Sequence, residues 1–342
     1  LIDGTEPEGN IEFDISVTDY LGNQSLYNSL TDGSNVYYDK TKPNLNLVRI
    51  ASNNVHDTTW ATSNDIISVY FNSDEDISNT DSVPSTKILG QNSSTTNIGS
   101  NNWKASYLTI NTDQEGEVDF EISFFDLAGN KGDLISTSTI DNNSKVVFDR
   151  TPPADFTLGD IISVGGNIVE NVWNSTNNNL EVFVPLENDS TLINGWIQIR
   201  AKIGLNTMED FGNLSEIIEG DIPGDKRILF SEFETEGIIG FDESESIIFK
   251  AIIYDRPGNQ KIGNESLNII EIDQIPPSVD YVSYKSNFTD TTLATIGDEI
   301  TLTFKTNESI QQPLVTISGN SAIVNGSDTV WNANYVMQES DS

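Results

Sequence analysis

The chain repeats itself, and that limits what it can fold into more tightly than any single motif does. The stretch Glu115-Gly116-Glu117-Val118-Asp119-Phe120-Glu121-Ile122-Ser123-Phe124 runs into Asp126-Leu127-Ala128-Gly129-Asn130 and closes on Val147-Phe148-Asp149-Arg150-Thr151-Pro152-Pro153. Near the start the same order recurs as Gly9, an Ile11/Phe13/Ile15/Val17 alternation, Asp19-Tyr20-Leu21-Gly22-Asn23 and Tyr38-Asp39-Lys40-Thr41-Lys42-Pro43. A further copy has the apolar run 248–253, Asp255-Arg256-Pro257-Gly258-Asn259 and Ile272-Asp273-Gln274-Ile275-Pro276-Pro277. One structural plan is therefore used several times, and each copy is read against the others.

Each part of the motif has a local cause. Apolar residues at alternate positions put one face of a strand into a core, so the run before the turn is a half-buried β-strand. In Asp-x-x-Gly-Asn the Asp side chain accepts backbone amides ahead of it and Gly takes a positive φ without steric cost, which makes a hairpin turn. The Asp-x-Thr/Ile-x-Pro ending stops the next strand, because proline has no N–H for a ladder and holds its predecessor extended.

Residues 1–43 carry only a closing hairpin of this plan. A complete unit spans 44–152, opening with Leu45/Leu47/Arg49/Ile50 and then Asp65-Ile66-Ile67-Ser68-Val69-Tyr70-Phe71. Residues 278–342 open alike: Ala61, Asp65, Phe71 and Glu75 match Ala294, Asp298, Phe304 and Glu308, and Trp103-x-Ala105-x-Tyr107 matches Trp331-x-Ala333-x-Tyr335. Both Trp are expected inside equivalent cores. Between them, 153–277 shares the closing hairpin but has a different, longer front, with a turn at Gly165-Gly166 and a short helix possible over 216–241. Short strands, frequent turn signals and the lack of helical periodicity predict an all-β chain of tandem immunoglobulin-like β-sandwich domains arranged in line.

At this point the chain resembles the bacterial immunoglobulin-like tandem repeats of giant cell-surface and adhesin-type proteins. The resemblance rests on the Gly-Asp-x-Ile-x-Val-x-Phe-like opening, the Glu-x-Ile step, Asp-x-x-Gly-Asn and the Asp-x-Thr-x-Pro junction. It implies an extracellular, cell-surface rod of stacked domains: a stalk or filament, alternatively an adhesin module that binds glycan or protein partners, or else a component of a surface-layer lattice.

Composition narrows the chemistry. With 17 basic against 53 acidic residues the net charge is −36, which excludes the Lys/Arg-rich surface that nucleic acid requires. Without cysteine there is neither a disulfide framework nor thiol chemistry. No apolar run is long enough for a helix to insert in a membrane, and the first residues lack the regions of a signal peptide, so export is expected to be directed from outside this segment. His56 is the only histidine, it lies in a polar loop, and no Gly-x-Ser-x-Gly elbow or Walker-type phosphate loop is present, so no enzyme is expected. The ten Asn-x-Ser/Thr sequons are near the number that chance gives a chain so rich in Asn, Ser and Thr.

The remaining chemistry is that of a hard cation. Carboxylates and carbonyls suit calcium, and the expected ligands at the interdomain junctions are the junction aspartates Asp39, Asp149 and Asp273 with the hairpin aspartates Asp19, Asp126 and Asp255 of the same units. The alternative is that each hairpin Asp only closes its own turn and each junction Asp only caps a strand. No contiguous EF-hand loop occurs. Residues 278–342 carry opening strands and 1–43 a closing hairpin, which together have the length of one unit. Two arrangements fit: a segment of a longer polypeptide, or subunits joined head to tail by strand donation; in both, neighbouring copies or repeats form a linear polymer.

Overall fold

The computed structural model describes residues 4–78, 84–140, 143–231 and 245–341. The chain is all-β: among the described residues the only helical pieces are the 3₁₀ turns Thr137–Thr139, Ser190–Leu192 and Glu219–Asp221. The helix expected over 216–241 is replaced by the last of these turns and the strand Gly224–Ser231, which takes a full register against Asn179–Leu186; the rest of that stretch lies outside the described residues.

In 44–152 one sheet has the order Ser94–Gly99, Asn102–Leu108, Ile66–Ser73, Leu45–Ser52. The other contains Ile135–Ser136, Phe120–Ser123, Ser85–Ile88 and Gln91–Asn92. The period-2 alternation turns Val48, Val69, Phe71, Trp103 and Ala105 of the first sheet toward Ile88, Phe120 and Ile122 of the second, forming one apolar cluster. Each such large side chain removed from water contributes roughly 1.5–3 kcal/mol. Phe71 and Trp103 stack with ring centroids 6.4 Å apart.

The second cluster lies in 153–277, between a sheet of Ile161–Val164, Asn179–Leu186 and Gly224–Ser231 and a larger sheet built on Trp196–Ile203 and Ser246–Tyr254. Phe211 meets Phe230 and Phe249 edge to face at 4.6 and 5.5 Å. In 278–342, the strands Val279–Ser286, Glu299–Thr306, Val330–Val336 and Ile323–Ser327 repeat the first sheet of 44–152, so that Phe304 pairs with Trp331 as Phe71 pairs with Trp103. Trp103 and Trp331 are both buried, at 2% and 5% exposure, as their alternation requires.

In 1–43 the ribbons Gly9–Asn10/Tyr37–Tyr38 and Ile15–Thr18/Gln24–Tyr27 pair antiparallel, and most of their side chains are exposed. The Asp-x-x-Gly-Asn turns share one geometry, with Gly22, Gly129 and Gly258 at φ 91°, 96° and 98°.

Candidate metal centre

The hairpin turn is the building block. Asp126 Oδ1 accepts Asn130 N at 2.8 Å while its Oδ2 accepts Asn130 Nδ2 at 2.7 Å. Asp255 Oδ1 accepts the amides of Gly258 and Asn259 at 2.9 and 2.7 Å, and its Oδ2 accepts Asn259 Nδ2 at 2.9 Å. Asp19 closes the same turn on Leu21 and Asn23, and these bonds, the Asn23 side chain first, hold its carboxyl below the usual range.

The junction segment is equally regular. At the first joint Asp39 Oδ1 accepts Thr41 N at 3.0 Å, and Glu8 Oε1 accepts Thr41 Oγ1 at 2.6 Å and Lys40 N at 2.8 Å. At the second, Asp149 Oδ1 accepts Thr151 N at 2.9 Å, and Glu115 Oε1 accepts Thr151 Oγ1 at 2.7 Å and Arg150 N at 3.0 Å. These bonds, the threonine hydroxyls first, lower the pKa of Glu8 and of Glu115. Both glutamates are therefore held ionised beside the junction aspartates.

The two blocks meet across the joint, and the pairing differs from the one expected from sequence. Asp39 is joined not by Asp19 of its own segment but by Asp126 and Glu75 of the next, each offering a carboxylate oxygen with the three oxygens within 4.8 Å of one another. At the second joint Asp149 lies near enough to Asp255 of the next unit for its charge to raise the Asp255 pKa, and it feels the charges of Glu115 and Asp189. Asp273 lies on a cleft shared with Glu308 and Asn307. Asp19 is not brought to another carboxylate cluster among the described residues. The physical reason is strand length. Ten residues of mostly extended chain separate Gly116 from Asp126, about 30 Å of path at the usual rise, so the hairpin Asp and the junction Asp sit at opposite ends of a unit.

The Asn of the turn spans the first and second joints. Asn130 Nδ2 donates to the Asp39 carbonyl at 3.3 Å, and Asn259 Nδ2 to the Asp149 carbonyl at 3.0 Å, besides holding their own hairpin aspartates. Sequence reasoning read this residue only as part of a turn, and it missed Glu75, Glu8, Glu115 and Asp189. A signal was available for three of the four: Glu75 recurs as Glu308, and Glu8 and Glu115 both precede the Gly that opens the closing hairpin.

The electrostatics fit a cation. Burial first, and then the charges of Asp39 and Asp126, push the Glu75 carboxyl up. Asp149 is raised by burial and then by Glu115 and Asp189; its Oδ2 is buried without a hydrogen-bond partner. Asp255 is fully buried, and burial followed by the charge of Asp149 pushes it up to about 7. An orphaned buried carboxylate oxygen at a joint where further carboxylate charges lie near is what calcium, a hard cation taking six to eight oxygens, neutralises. Asp39, Glu75 and Asp126 would hold it at the first joint, and Asp149 and Asp255, with Glu115 and Asp189 near, at the second.

The second joint also has direct contacts. Arg256 Nη2 pairs with Asp57 Oδ2 at 2.7 Å and its guanidinium lies 5.4 Å from the centroid of the Trp60 ring. Asn54 Nδ2 donates to the Pro257 carbonyl at 2.9 Å, and Thr62 Oγ1 bonds Asn259 Oδ1. His56, which sequence placed in a polar loop, packs against Trp196 at 4.4 Å between centroids. At the first joint the corresponding direct pair is Lys42 with Asp133 at 2.7 Å, both exposed.

No protein-family model and no curated protein matches the chain. Among solved structures it is similar to one described as a Ca2+-stabilized adhesin that helps an Antarctic bacterium reach out and bind ice, at 12% identity and a TM-score of 0.39, covering 96% of this chain and 74% of that one. It is also similar to the Bacteroides ovatus mixed-linkage glucan utilization locus SGBP-B in complex with a mixed-linkage heptasaccharide, at 12% identity and a TM-score of 0.18, covering 97% and 75%. At these scores the likeness does not carry either function to this chain.

Proposed function

We propose that the chain is a non-enzymatic, extracellular segment of immunoglobulin-like repeats at a microbial cell surface, a stalk or filament whose joints are stiffened by calcium. The observation that supports this reading is the first joint, where Asp39, Glu75 and Asp126 bring three carboxylate oxygens within 4.8 Å of one another, with a related arrangement of Asp149 and Asp255 at the second. A junction aspartate and its glutamate neighbour come from one unit, a hairpin aspartate and a further carboxylate from the next, and an asparagine amide crosses between them. Carboxylates so placed repel one another across the joint, and a divalent cation turns that repulsion into a tie. No helix among the described residues is long and apolar enough to cross a membrane.

The test is small-angle scattering of the whole chain in millimolar calcium and in chelator, with calorimetric titration of the metal. Calcium should narrow the distribution of particle dimensions, and D39N/D126N should remove part of the bound metal. Unchanged scattering with no heat of binding removes calcium from the function. A second reading, an adhesive module, is favoured by one sheet face of 44–152.

A further inference from the structure

In a chain with 53 acidic residues, one four-stranded sheet has none. The strands Leu45–Ser52, Ile66–Ser73, Ser94–Gly99 and Asn102–Leu108 contain neither Asp nor Glu. On their outer face a row runs in direct register across the sheet: Thr96 opposite Lys104, Lys104 opposite Tyr70, Tyr70 opposite Arg49. The Arg49 guanidinium carbon lies 4.1 Å from the centroid of the Tyr70 ring, and Lys104 Nζ lies 5.6 Å from it. Neither cation forms an ion pair among the described residues. Two positive charges thus stand on one ring, on a face without carboxylates, in a chain that has few cations.

The scaffold does not need this row. In 278–342 the same four strands pair in the same register, and the equivalent positions are Asn325, Asn332, Thr303 and Ser283. That sheet forms with no ring and no charge in the row, so a requirement of folding does not explain Arg49, Tyr70 and Lys104.

The chemistry of the row selects an anion. A guanidinium stacked on a ring keeps its in-plane N–H groups pointing outward, the arrangement that grips a carboxylate with two parallel hydrogen bonds. The neighbouring amides are already engaged: Asn102 Nδ2 donates to the Gly99 and Ser100 carbonyls at 3.0 and 2.9 Å, and Asn72 Nδ2 to Asn102 Oδ1 at 3.2 Å. The two cations are left as the strong donors. The charge of the rest of the chain opposes a polyanion, but its field is screened beyond about 8 Å at physiological ionic strength, so the groups within that radius decide. Four strands set the row across roughly 14 Å, enough for an extended chain rather than a single small ion.

We propose that this sheet face binds an acidic polysaccharide through its uronate carboxylates, with Arg49, held flat on Tyr70, as the bidentate donor and Lys104 as the second cation. The inference deepens the adhesive reading and does not depend on calcium at the joints.

The test uses the full chain, oligogalacturonate as the probe, and a chelating buffer so that calcium neither bridges the sugar nor fills the joints. The key variant is R49S/Y70T/K104N, which installs the residues of 278–342 at the three charged or aromatic positions of the row; K104E alone serves if the triple variant melts early. Oligogalacturonate should bind more weakly as salt rises, and the triple variant should lose about tenfold or more in affinity, the loss expected on removing one charge-assisted hydrogen-bonded group. Absence of binding, binding retained by the variants, or equal binding of a neutral cello-oligosaccharide overturns the proposal. So does self-association that the triple variant abolishes without any sugar binding, which assigns the face to the acidic surface of a second copy. Because calcium is excluded, a negative result here leaves the scattering test of the joints intact.

Discussion

Replacing Asp255 by Asn removes a charge that its surroundings resist. Burial first, and the Asp149 charge second, raise the carboxyl from 3.8 to about 7. An acid whose folded pKa exceeds its unfolded one favours the native state only while protonated. Its penalty is absent below about pH 4, grows as pH rises, and is complete above about 7, where it reaches at most about 4 kcal/mol. Asn at this position keeps the acceptor for Gly258 N and Asn259 N but sets its own amide against Asn259 Nδ2, which now approaches Asp255 Oδ2 at 2.9 Å. Losing that bond costs about 1 kcal/mol. In chelator at pH 8 the D255N chain should therefore be more stable than wild type by up to about 3 kcal/mol, and near pH 4 less stable by about 1. Calcium at a hundredfold its Kd adds about 2.7 kcal/mol to wild type alone and should nearly erase the variant's advantage. Hydrogen exchange in the strand Ser246–Tyr254, which leads into Asp255, reads the local free energy in each condition. If D255N is less stable than wild type at pH 8 in chelator, the buried-charge reasoning is wrong; if calcium stabilises it as much as wild type, Asp255 is no ligand.

Three further outcomes follow from the same geometry. Spin-label distances across the first joint should broaden in chelator far more than those across the second, where Arg256, Asn54 and His56 act without metal; equal broadening would show that these contacts do not hold. Calcium binding at the second joint should release about one proton at pH 6 and none above about pH 8, so that affinity rises up to tenfold per pH unit below about 7 and then levels; calorimetry in buffers of different ionisation enthalpy measures this. G258A should cost about 1–2 kcal/mol through its positive φ and more through a Cβ only 2.8 Å from His56 Cδ2. Adding H56A should recover the steric part alone, and thermal melting of the single and double variants separates the two.

Much of the fold was legible because alternation has one physical meaning. Ile67, Val69 and Phe71 on one strand and Trp103 and Ala105 on its neighbour are buried where a period of two puts them, and Trp331 and Ala333 repeat this. The site was legible by residue type and not by partner. Five of the six aspartates singled out from sequence lie at joints, yet nothing in the sequence says that a hairpin closes toward the unit before it. Asp126 and Asp149 look close along the chain and lie at opposite ends of a unit. The role of His56 was invisible for a different reason: its partner Trp196 belongs to another unit, and no local pattern records a contact of that range.

That displacement by one unit decides what a cation would do here. Had Asp19 paired with Asp39 and Asp126 with Asp149, each unit would carry its own ion, and removing the metal would destabilise units one at a time. Instead the ligands of each centre come from two neighbours, so an isolated unit owns half a site at each end. The apolar clusters of 44–152 and 153–277 close without any of these carboxylates. Calcium bound there would therefore tie the relative orientation of neighbours as well as stabilise the hairpin that supplies its ligands. It follows that swapping the order of units should preserve every fold while re-forming a centre wherever a junction Asp meets an Asp-x-x-Gly-Asn hairpin. A rearranged chain with 153–277 placed before 44–152 should then bring Asp273 to Asp126 and bind calcium at that new joint. Failure to bind, with both units folded, would mean that the pairs Asp39–Asp126 and Asp149–Asp255 are matched individually and that the joint is not a general one.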